Sequence, residues 1–267
     1  MAKPRVYRTQ EVDLEKLNFP DKATVNPTTQ QKSVKGVNYD GKPFFLQTPR
    51  MFNPWGLDVS QQKNEAGEPI GNPSYYLRLS FGKEPQATTA KFRTLLYDME
   101  DVLKQACRDH SVKWLGERKE DMTDDVLDNK VATQVNQSLD KETMEPNGEW
   151  PDNVRFRLPF VPSDALDKNG NPLEKSNCFP DYLEVYDENN ERVYVESVED
   201  MQRILTRGTE VQAIVALSGL YISGKVGYTW RVRHLQIYPA KSGSAMTGYV
   251  IRNDNDDMSD DNISDDN

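Results

Sequence analysis

The chain has 267 residues, 36% of them hydrophobic and 28% charged, and a formal net charge of −10. This length allows a buried core without crosslinks, and the low apolar content predicts extensive loops around that core. Cys107 and Cys178 lie far apart with no CxxC or Cys/His spacing, which argues against a disulfide framework and a structural zinc site. A reducing intracellular compartment, without secretion, is therefore expected.

Motifs of membrane proteins and of several enzyme classes are missing from the sequence. No run approaches the roughly 18 apolar residues that a membrane span needs, and the N-terminus has no apolar signal segment. There is no GxxxxGK[ST] phosphate loop and no HExxH pattern, and neither His110 nor His234 has a metal-ligand spacing. We therefore expect no membrane association, no metal, no cofactor and no enzymatic activity.

The negative charge is concentrated at the C-terminal end. Seven aspartates and no basic residue occur in NDNDDMSDDNISDDN (253–267), and without these seven, 36 of the 43 acidic residues remain against 33 basic ones. We predict a disordered acidic tail over 251–267. This tail either only solubilises the protein, competes with nucleic acid for a basic surface, or docks a replication partner. Its aspartates are Asp254, Asp256, Asp257, Asp260, Asp261, Asp265 and Asp266.

A mainly β domain over 36–250 is predicted to follow a polar N-terminal arm over 1–35. The domain begins with a turn at Asp40 and Gly41 and a strand through FFL (44–46). Farther on, SYYLRLSF (74–81) alternates between two faces and predicts another strand. The set predicted to face the core is Tyr75, Leu77, Leu79 and Phe81, with Tyr76 and Arg78 on the opposite face.

A helical insertion over about 86–149 interrupts the strands. TTAKFRTLLYDMEDVLKQACRDH (88–110) has the apolar period of an amphipathic helix, with Thr88 or Thr89 as its N-cap. A weaker helix is predicted over 123–135. An amphipathic helix in this insertion is equally suited to capping the end of a barrel and to forming a dimer interface. The sequence is therefore compatible with a homo-oligomer.

The C-terminal half alternates again and predicts several more strands. In NVRFRLPF (153–160) the arginines Arg155 and Arg157 lie opposite the apolar set, and DYLEVYDENNERVYV (181–195) predicts a hairpin. In the last strand, a bulge near Arg233 is needed to keep all four apolar residues on the buried side. The sum is an α+β chain of about seven or eight strands, and closure into a small barrel would hide the strand edges.

Cationic and aromatic side chains recur on the faces opposite the predicted core. Single-stranded nucleic acid needs this combination, because cations follow phosphates and exposed rings stack on bases. The alternative is that these side chains only serve solubility and edge protection. The candidate phosphate contacts are Lys42, Arg50, Arg78, Arg155, Arg157, Lys225, Arg231 and Arg233, and the candidate rings are Phe52, Trp55, Tyr76, Tyr221 and Tyr228. Trp230 is also a candidate, but it has the same strand phase as Val232, and this favours a position in the core over a stacking role.

Two stretches resemble parts of a known family. PFFLQTPRMFNPWGLDV (43–59) is similar to the strand, TP-containing aromatic loop and (F/W)GL element of the single-stranded DNA-binding proteins of nucleocytoplasmic large DNA viruses. LSGLYISGKVGYTWRVRHLQIY (217–238) resembles the C-terminal hairpin of that family, with its GK-aromatic-Gly-aromatic-x-W strand. The resemblance covers about 40–238, and the order of the intervening strand and helix also fits.

The resemblance implies an elaborated oligonucleotide/oligosaccharide-binding (OB) barrel. It also implies sequence-independent binding of single-stranded DNA in viral replication, recombination or repair, in the cytoplasm or nucleus of a host cell. Carried onto matching positions, it points to Arg50, Phe52, Trp55, Lys225, Tyr228, Trp230 and Arg231. The tail departs from a wider class of single-strand binders, because it ends in ISDDN and not in an aromatic residue that docks partners.

Two other functions remain open from the sequence. A protein-interaction or virion structural module would use the β surface for another protein, and it would show no salt-dependent affinity for oligonucleotides. A nuclease would need several carboxylates converging on a metal, whereas the acidic clusters EDMTDD (120–125) and NDNDD (253–257) lie in polar surroundings typical of surface.

Overall fold

The computed structural model describes residues 4–27, 30–163, 171, 173 and 176–240. Within them the chain is an α+β protein built mostly from sheet. The strands are β1 (Val6–Arg8), β2 (Leu17–Asn18), β3 (Thr24–Val25), β4 (Lys32–Lys35), β5 (Asn38–Tyr39), β6 (Phe45–Gln47), β7 (Met51–Asn53), β8 (Leu57–Lys63), β9 (Pro69–Ser80), β10 (Val135–Asn136), β11 (Asn153–Arg157), β12 (Glu184–Tyr186), β13 (Arg192–Val193), β14 (Thr209–Ser223) and β15 (Lys225–Tyr238). The helices are α1 (Ala87–Asp109), α2 (Ser111–Trp114), α3 (Asp124–Lys130) and α4 (Val198–Ile204), with 3₁₀ turns at Thr9–Glu11, Leu14–Lys16 and Lys119–Asp121. The predicted acidic tail lies outside the described residues.

Five strands form a circuit of pairings. β7 pairs with β9, β9 with β11, β11 with β15, β15 with β14, and β14 returns to β7. The two longest strands, β14 and β15, are antiparallel neighbours along almost their whole length, and theirs is the most extensive pairing of this circuit. The remaining strands attach to its edges.

The described residues among the first 35, which the sequence predicts to be a polar arm, contribute four strands. β1 lies parallel to β6, β4 pairs with β14, and β3 pairs with β4. β2 forms a separate two-stranded sheet with β5. Most of these strands are short edge strands with one exposed face, which accounts for the polar composition of the segment. Val34 of β4 is nevertheless fully buried.

The predicted alternation is confirmed in β9 and β11. Tyr75, Leu77 and Leu79 are buried, as are Val154 and Phe156. Burial of each large apolar side chain contributes about 1.5–3 kcal/mol relative to exposure, which fixes the face that each strand turns to the core. The arginines between these residues consequently lie on the opposite face.

The bulge predicted near Arg233 is present. Ile214 lies opposite His234, but the next residue, Val215, lies opposite Val232, so Arg233 is the extra residue in β15. A bulge shifts the side-chain phase by one residue. It allows Val232 and Leu235 to be buried on the same side of the sheet.

The main predicted helix is confirmed as α1, but its predicted cap is wrong. The N-cap is Gln86, in extended backbone and without a side-chain hydrogen bond to the helix. Thr89 lies inside the helix, where its hydroxyl donates to the carbonyl oxygen of Gln86 at 2.8 Å. The second predicted helix is α3, which ends at Lys130 because Val131 already has extended backbone.

None of the helices in the described part of the chain combines the length and hydropathy of a membrane span. The same residues bring together no group of three His, Cys, Asp or Glu side chains that could hold a metal ion.

Candidate nucleic-acid interface

A row of side chains crosses three strands on the face opposite the core. Tyr76 of β9 lies opposite Arg157 of β11, and Arg157 lies opposite Arg231 of β15. Residues that lie directly opposite each other in adjacent strands project from the same face of the sheet. The register therefore places one aromatic ring and two guanidinium groups side by side.

A neighbouring pair of arginines shares one carboxylate. Arg78 lies directly opposite Arg155, where two like charges would repel each other. Asp58 of β8 offsets this repulsion, because its Oδ2 lies 3.0 Å from Arg78 Nη2 and 2.9 Å from Arg155 Nε. Only 17% of the Asp58 side chain is exposed, so solvent screens these ion pairs incompletely. The single negative charge of Asp58 thus partly neutralises two of the positive charges on this face.

Arginine side chains also lie over aromatic rings here. Arg155 Cζ is 3.6 Å from the centroid of the Tyr76 ring, and Arg78 Cζ is 5.2 Å from that of Trp55. Such cation–π contacts contribute about 0.5–1 kcal/mol at exposed sites. Because Tyr76 and Trp55 are only half-buried, part of each ring remains accessible.

This face of the sheet borders a cleft with a volume of about 870 Å³, which we term the main cleft. Residues of β11, β14 and β15 form its floor, and the β3–β4 hairpin and the segment 132–136 form its walls. Among the described residues, its lining contains four cations and no carboxylate. Its cationic and half-buried aromatic side chains are Lys35, Arg155, Arg157, Arg231, Tyr76 and Tyr221.

The β3–β4 wall lies close to the floor because of a glycine. Gly219 of β14 lies opposite Lys35 of β4, and a Cβ on Gly219 would be 2.3 Å from the carbonyl oxygen of Val34. Its φ of +144° is also one that other residues rarely adopt. Any other residue at this position would clash with the backbone of β4, so this close approach requires glycine.

The helical insertion provides the other wall. Ala132 N donates to the carbonyl oxygen of Val226 at 2.8 Å, and Gln134 accepts a 2.7 Å hydrogen bond from Trp230 Nε1. The Gln134 amide also donates to the carbonyl oxygen of Leu96 in α1. These bonds tie segment 132–136 to both the sheet and the helix, a role that the sequence left undecided.

Several guanidinium groups on this face have unused hydrogen-bonding capacity. The buried Nε atoms of Arg231 and Arg233 have no acceptor in the part of the chain that the structure describes. No carboxylate of those residues lies within ion-pair distance of Arg157, Arg231 or Arg233. A buried donor without an acceptor costs free energy, so an anion with several acceptor oxygens would stabilise this arrangement.

Seven predicted site residues do not line the main cleft as the described residues define it: Lys42, Arg50, Phe52, Trp55, Arg78, Lys225 and Arg233. Lys42 lies in the exposed turn after β5, and Lys225 is the exposed first residue of β15. Arg50 forms an ion pair with Glu210 at 2.5 Å, and Phe52 lies opposite Glu210 in β7 with its ring exposed.

Two further predicted site residues belong to the core. Tyr228 and Trp230 are only 7% and 5% exposed. Tyr228 Oη donates to the carbonyl oxygen of Met99 at 2.8 Å, and burial raises the pKa of this hydroxyl well above its usual value. Tyr228 shares its strand phase with Trp230, a signal from which its burial could have been predicted. Both residues nevertheless line the main cleft, where their small exposed fractions suit the base of the cleft better than stacking on a nucleobase.

Three residues of this face were not predicted from the sequence: Lys35, Asp58 and Tyr182. Lys35 lies in the predicted arm, and Asp58 lies in a hairpin whose register shifts between Ser60 and Gln62. The shift hides from the sequence that Asp58 lies opposite Tyr76. Tyr182 falls in the hairpin predicted over 181–195, but it lies in a turn before β12, where Arg233 Cζ is 4.6 Å from the centroid of its ring.

No protein-family model matches the chain, and no curated protein matches it. Among solved structures, the single-stranded DNA-binding protein gp2.5 of bacteriophage T7 is similar over 77% of this chain and 97% of its own, with 11% sequence identity and a TM-score of 0.42. The single-stranded DNA-binding protein of bacteriophage Enc34, in complex with single-stranded DNA, is similar over 83% of this chain and 94% of its own, with 12% identity and a TM-score of 0.34. At such identities and TM-scores, the function of these proteins does not transfer to this chain.

Proposed function

We propose that this protein binds single-stranded nucleic acid in the main cleft, without sequence preference. The observation that carries the proposal is the lining of four cations and no carboxylate, in a chain with a net charge of −10. Phosphates would contact the arginines, and Tyr76 and Tyr221 would stack on bases irrespective of their identity. Stacking accounts for sequence tolerance, because every base has a π face.

The proposal extends to DNA as the ligand and to a non-enzymatic role in viral replication, recombination or repair, in the cytoplasm or nucleus of an infected cell. Its support is the resemblance of 43–59 and 217–238 to the single-stranded DNA-binding proteins of large DNA viruses. The circuit of β7, β9, β11, β15 and β14 further supports an elaborated OB barrel, a five-stranded fold that holds oligonucleotides against its strands.

We also propose that the acidic stretch 251–267 competes with DNA for the main cleft and so lowers non-productive binding. The support is its charge, since seven aspartates against a single basic residue, Arg252, complement the cationic lining. The same stretch would be available to a basic patch on a replication protein once DNA has displaced it.

Fluorescence anisotropy of a labelled thymidine oligonucleotide tests these proposals. The full chain and a version ending at Val250 are titrated across a salt series with duplex competitor. We expect a preference for the single strand, a log affinity that falls with log salt by about 0.7 per phosphate contacted, and tighter binding by the shortened version. Absence of salt-dependent binding by both versions, each shown to be folded, would contradict the proposed function and leave the protein-interaction module.

A further inference from the structure

A second, smaller cleft adjoins the main cleft. This side cleft has a volume of about 130 Å³ and lies between the β9 residues 72–75, the segment 157–162 and the loop before β12. Arg157 and Arg231 line both clefts. Because these two arginines lie opposite each other in β11 and β15, they form the boundary between the two spaces.

An aromatic cluster supports the side cleft from the core side. The ring of Phe160 lies 4.5 Å from that of Tyr75 and 5.2 Å from that of Phe179, measured between centroids. Tyr75 and Phe179 are buried, whereas Phe160 is half-buried and lines the cleft together with Tyr75. Tilted and edge-to-face ring pairs contribute about 0.5–1.5 kcal/mol each beyond their area burial. The side cleft therefore has a base of packed aromatic rings.

Tyr182 provides an accessible ring at the edge of the side cleft. It is 50% exposed, although large aromatic side chains are usually well buried. The guanidinium of Arg233 lies over this ring, with Cζ 4.6 Å from its centroid. Arg233 is the extra residue of the β15 bulge, so the bulge both preserves the core phase and places a cation against this ring.

We propose that the side cleft is a nucleobase subsite, in which Tyr182 stacks on the base that follows those held in the main cleft. This inference rests on the proposed function. Successive bases of a nucleic acid are joined through a phosphate, and the boundary between the two clefts consists of Arg157 and Arg231. These arginines take the connecting phosphate, and the chain continues over them into the side cleft.

Tyr194 offers a matched control for Tyr182. It is 77% exposed, and Arg192 Cζ lies 5.3 Å from its ring centroid, so it repeats the arginine–tyrosine pair. It lines neither cleft. Tyr182→Ala and Tyr194→Ala thus remove the same side chain from similar surroundings, and both variants should fold because both rings are exposed.

The experiment measures the affinity of wild type, Tyr182→Ala and Tyr194→Ala for thymidine oligonucleotides lengthened one nucleotide at a time. For wild type and Tyr194→Ala, affinity should rise until both clefts are filled. For Tyr182→Ala it should stop rising one nucleotide earlier, and the longest oligonucleotides should bind about 5- to 150-fold more weakly. Tyr182→Trp should restore the last step, because tryptophan also stacks.

The outcomes separate this inference from the proposed function. Binding by Tyr182→Ala that equals wild type at every length overturns the subsite and leaves the main cleft as the binding site. An equal loss at every length also overturns it, since the ring would then not serve one additional base. If wild type binds no oligonucleotide of any length, the proposed function itself fails.

Discussion

The ring of Tyr221 packs directly against Gly227, its partner across β14 and β15. A Cβ on Gly227 would lie 2.5 Å from both Cζ and Oη of Tyr221, a distance that carbon atoms in proteins do not tolerate. Burial against the sheet raises the pKa of the Tyr221 hydroxyl. The Tyr221 ring can therefore occupy this position in the main cleft only because residue 227 is a glycine, which has no side chain.

Replacing Gly227 with alanine should weaken binding of single-stranded DNA. The added methyl group displaces the Tyr221 ring, and loss of one stacked base costs about 1–3 kcal/mol. The φ of Gly227 lies outside the left-handed region, so the backbone accepts alanine and the protein should fold. Anisotropy with a thymidine oligonucleotide measures the change.

The control for this prediction is a double-mutant cycle with Tyr221→Ala. In the Tyr221→Ala background, Gly227→Ala should have almost no further effect on affinity, since the ring that it displaces is already gone. Additive losses would show that Gly227 acts by another route.

Asp58→Asn should strengthen the binding of single-stranded DNA several-fold while lowering stability. The substitution releases Arg78 and Arg155 from their shared carboxylate, so both can contact phosphates, and it leaves two cations facing each other across β9 and β11. We expect a steeper dependence of affinity on salt. We also expect a loss of about 1–3 kcal/mol in the free energy of unfolding, measured by urea denaturation.

Asp152→Asn is the matched control. Asp152 forms an ion pair with Arg93 at 3.2 Å, its side chain is 20% exposed, and it lines neither cleft. The Asp152→Asn substitution removes the same charge from a similarly buried ion pair. An equal gain in affinity in both variants would show that only the net charge matters and not the release of the two arginines.

Arg157→Gln should reduce the salt dependence of binding. Arg157 is exposed at the boundary of both clefts, so its loss removes a phosphate contact and should change the slope of log affinity against log salt by about 0.7. Arg118→Gln, an exposed position in an ion pair with Asp121, removes one positive charge outside the clefts. A similar change of slope in both variants would contradict a phosphate contact at Arg157.

Tyr228→Phe should affect stability and its pH dependence without affecting binding. Near neutral pH the variant loses the hydrogen bond to Met99, at a cost of about 0.5–1.5 kcal/mol. In the folded protein burial keeps the Tyr228 hydroxyl protonated through its raised pKa, whereas the unfolded chain ionises near pH 10. The stabilising effect of this shift is complete below about pH 10, and above it wild type loses up to about 1.4 kcal/mol per pH unit from this group.

Urea denaturation of wild type, Tyr228→Phe and the exposed control Tyr194→Phe at neutral pH and above pH ~10 checks this. The stability gap between wild type and Tyr228→Phe should narrow as the pH rises, while Tyr194→Phe should follow wild type. A constant gap would mean that Tyr228 does not resist ionisation in the folded state.

The elements whose side chains follow a regular period could be predicted from the sequence. The face of β9 that is buried, the amphipathic stripe of α1 and the bulge at Arg233 all follow from the positions of apolar residues along one segment. These are local properties, because a strand alternates with period 2 and a helix repeats with period 3.6. The caps and ends of the helices were less predictable, since hydrogen bonds to single side chains decide them.

Which residues meet on the polar face was decided by the tertiary structure. Alternation shows that Tyr76 and Arg157 point away from the core of their own strands, but strand register places them beside each other and beside Arg231. The same holds for Asp58, which approaches two arginines more than 15 residues away along the chain. Such contacts join distant segments, and no local pattern encodes the distance between them.

The sequence by itself therefore determined a mainly β chain with a helical insertion and a cationic, aromatic face, because burial of apolar side chains selects the face of each element. Only the tertiary structure decided that Tyr228 and Trp230 are covered by the insertion and that Tyr182 lies beside Arg233. It also concentrated four cations without a carboxylate in one cleft of an acidic chain. The physical reason is that the pairing of strands brings these charges together, whereas the sequence specifies only how many there are and which way each one points.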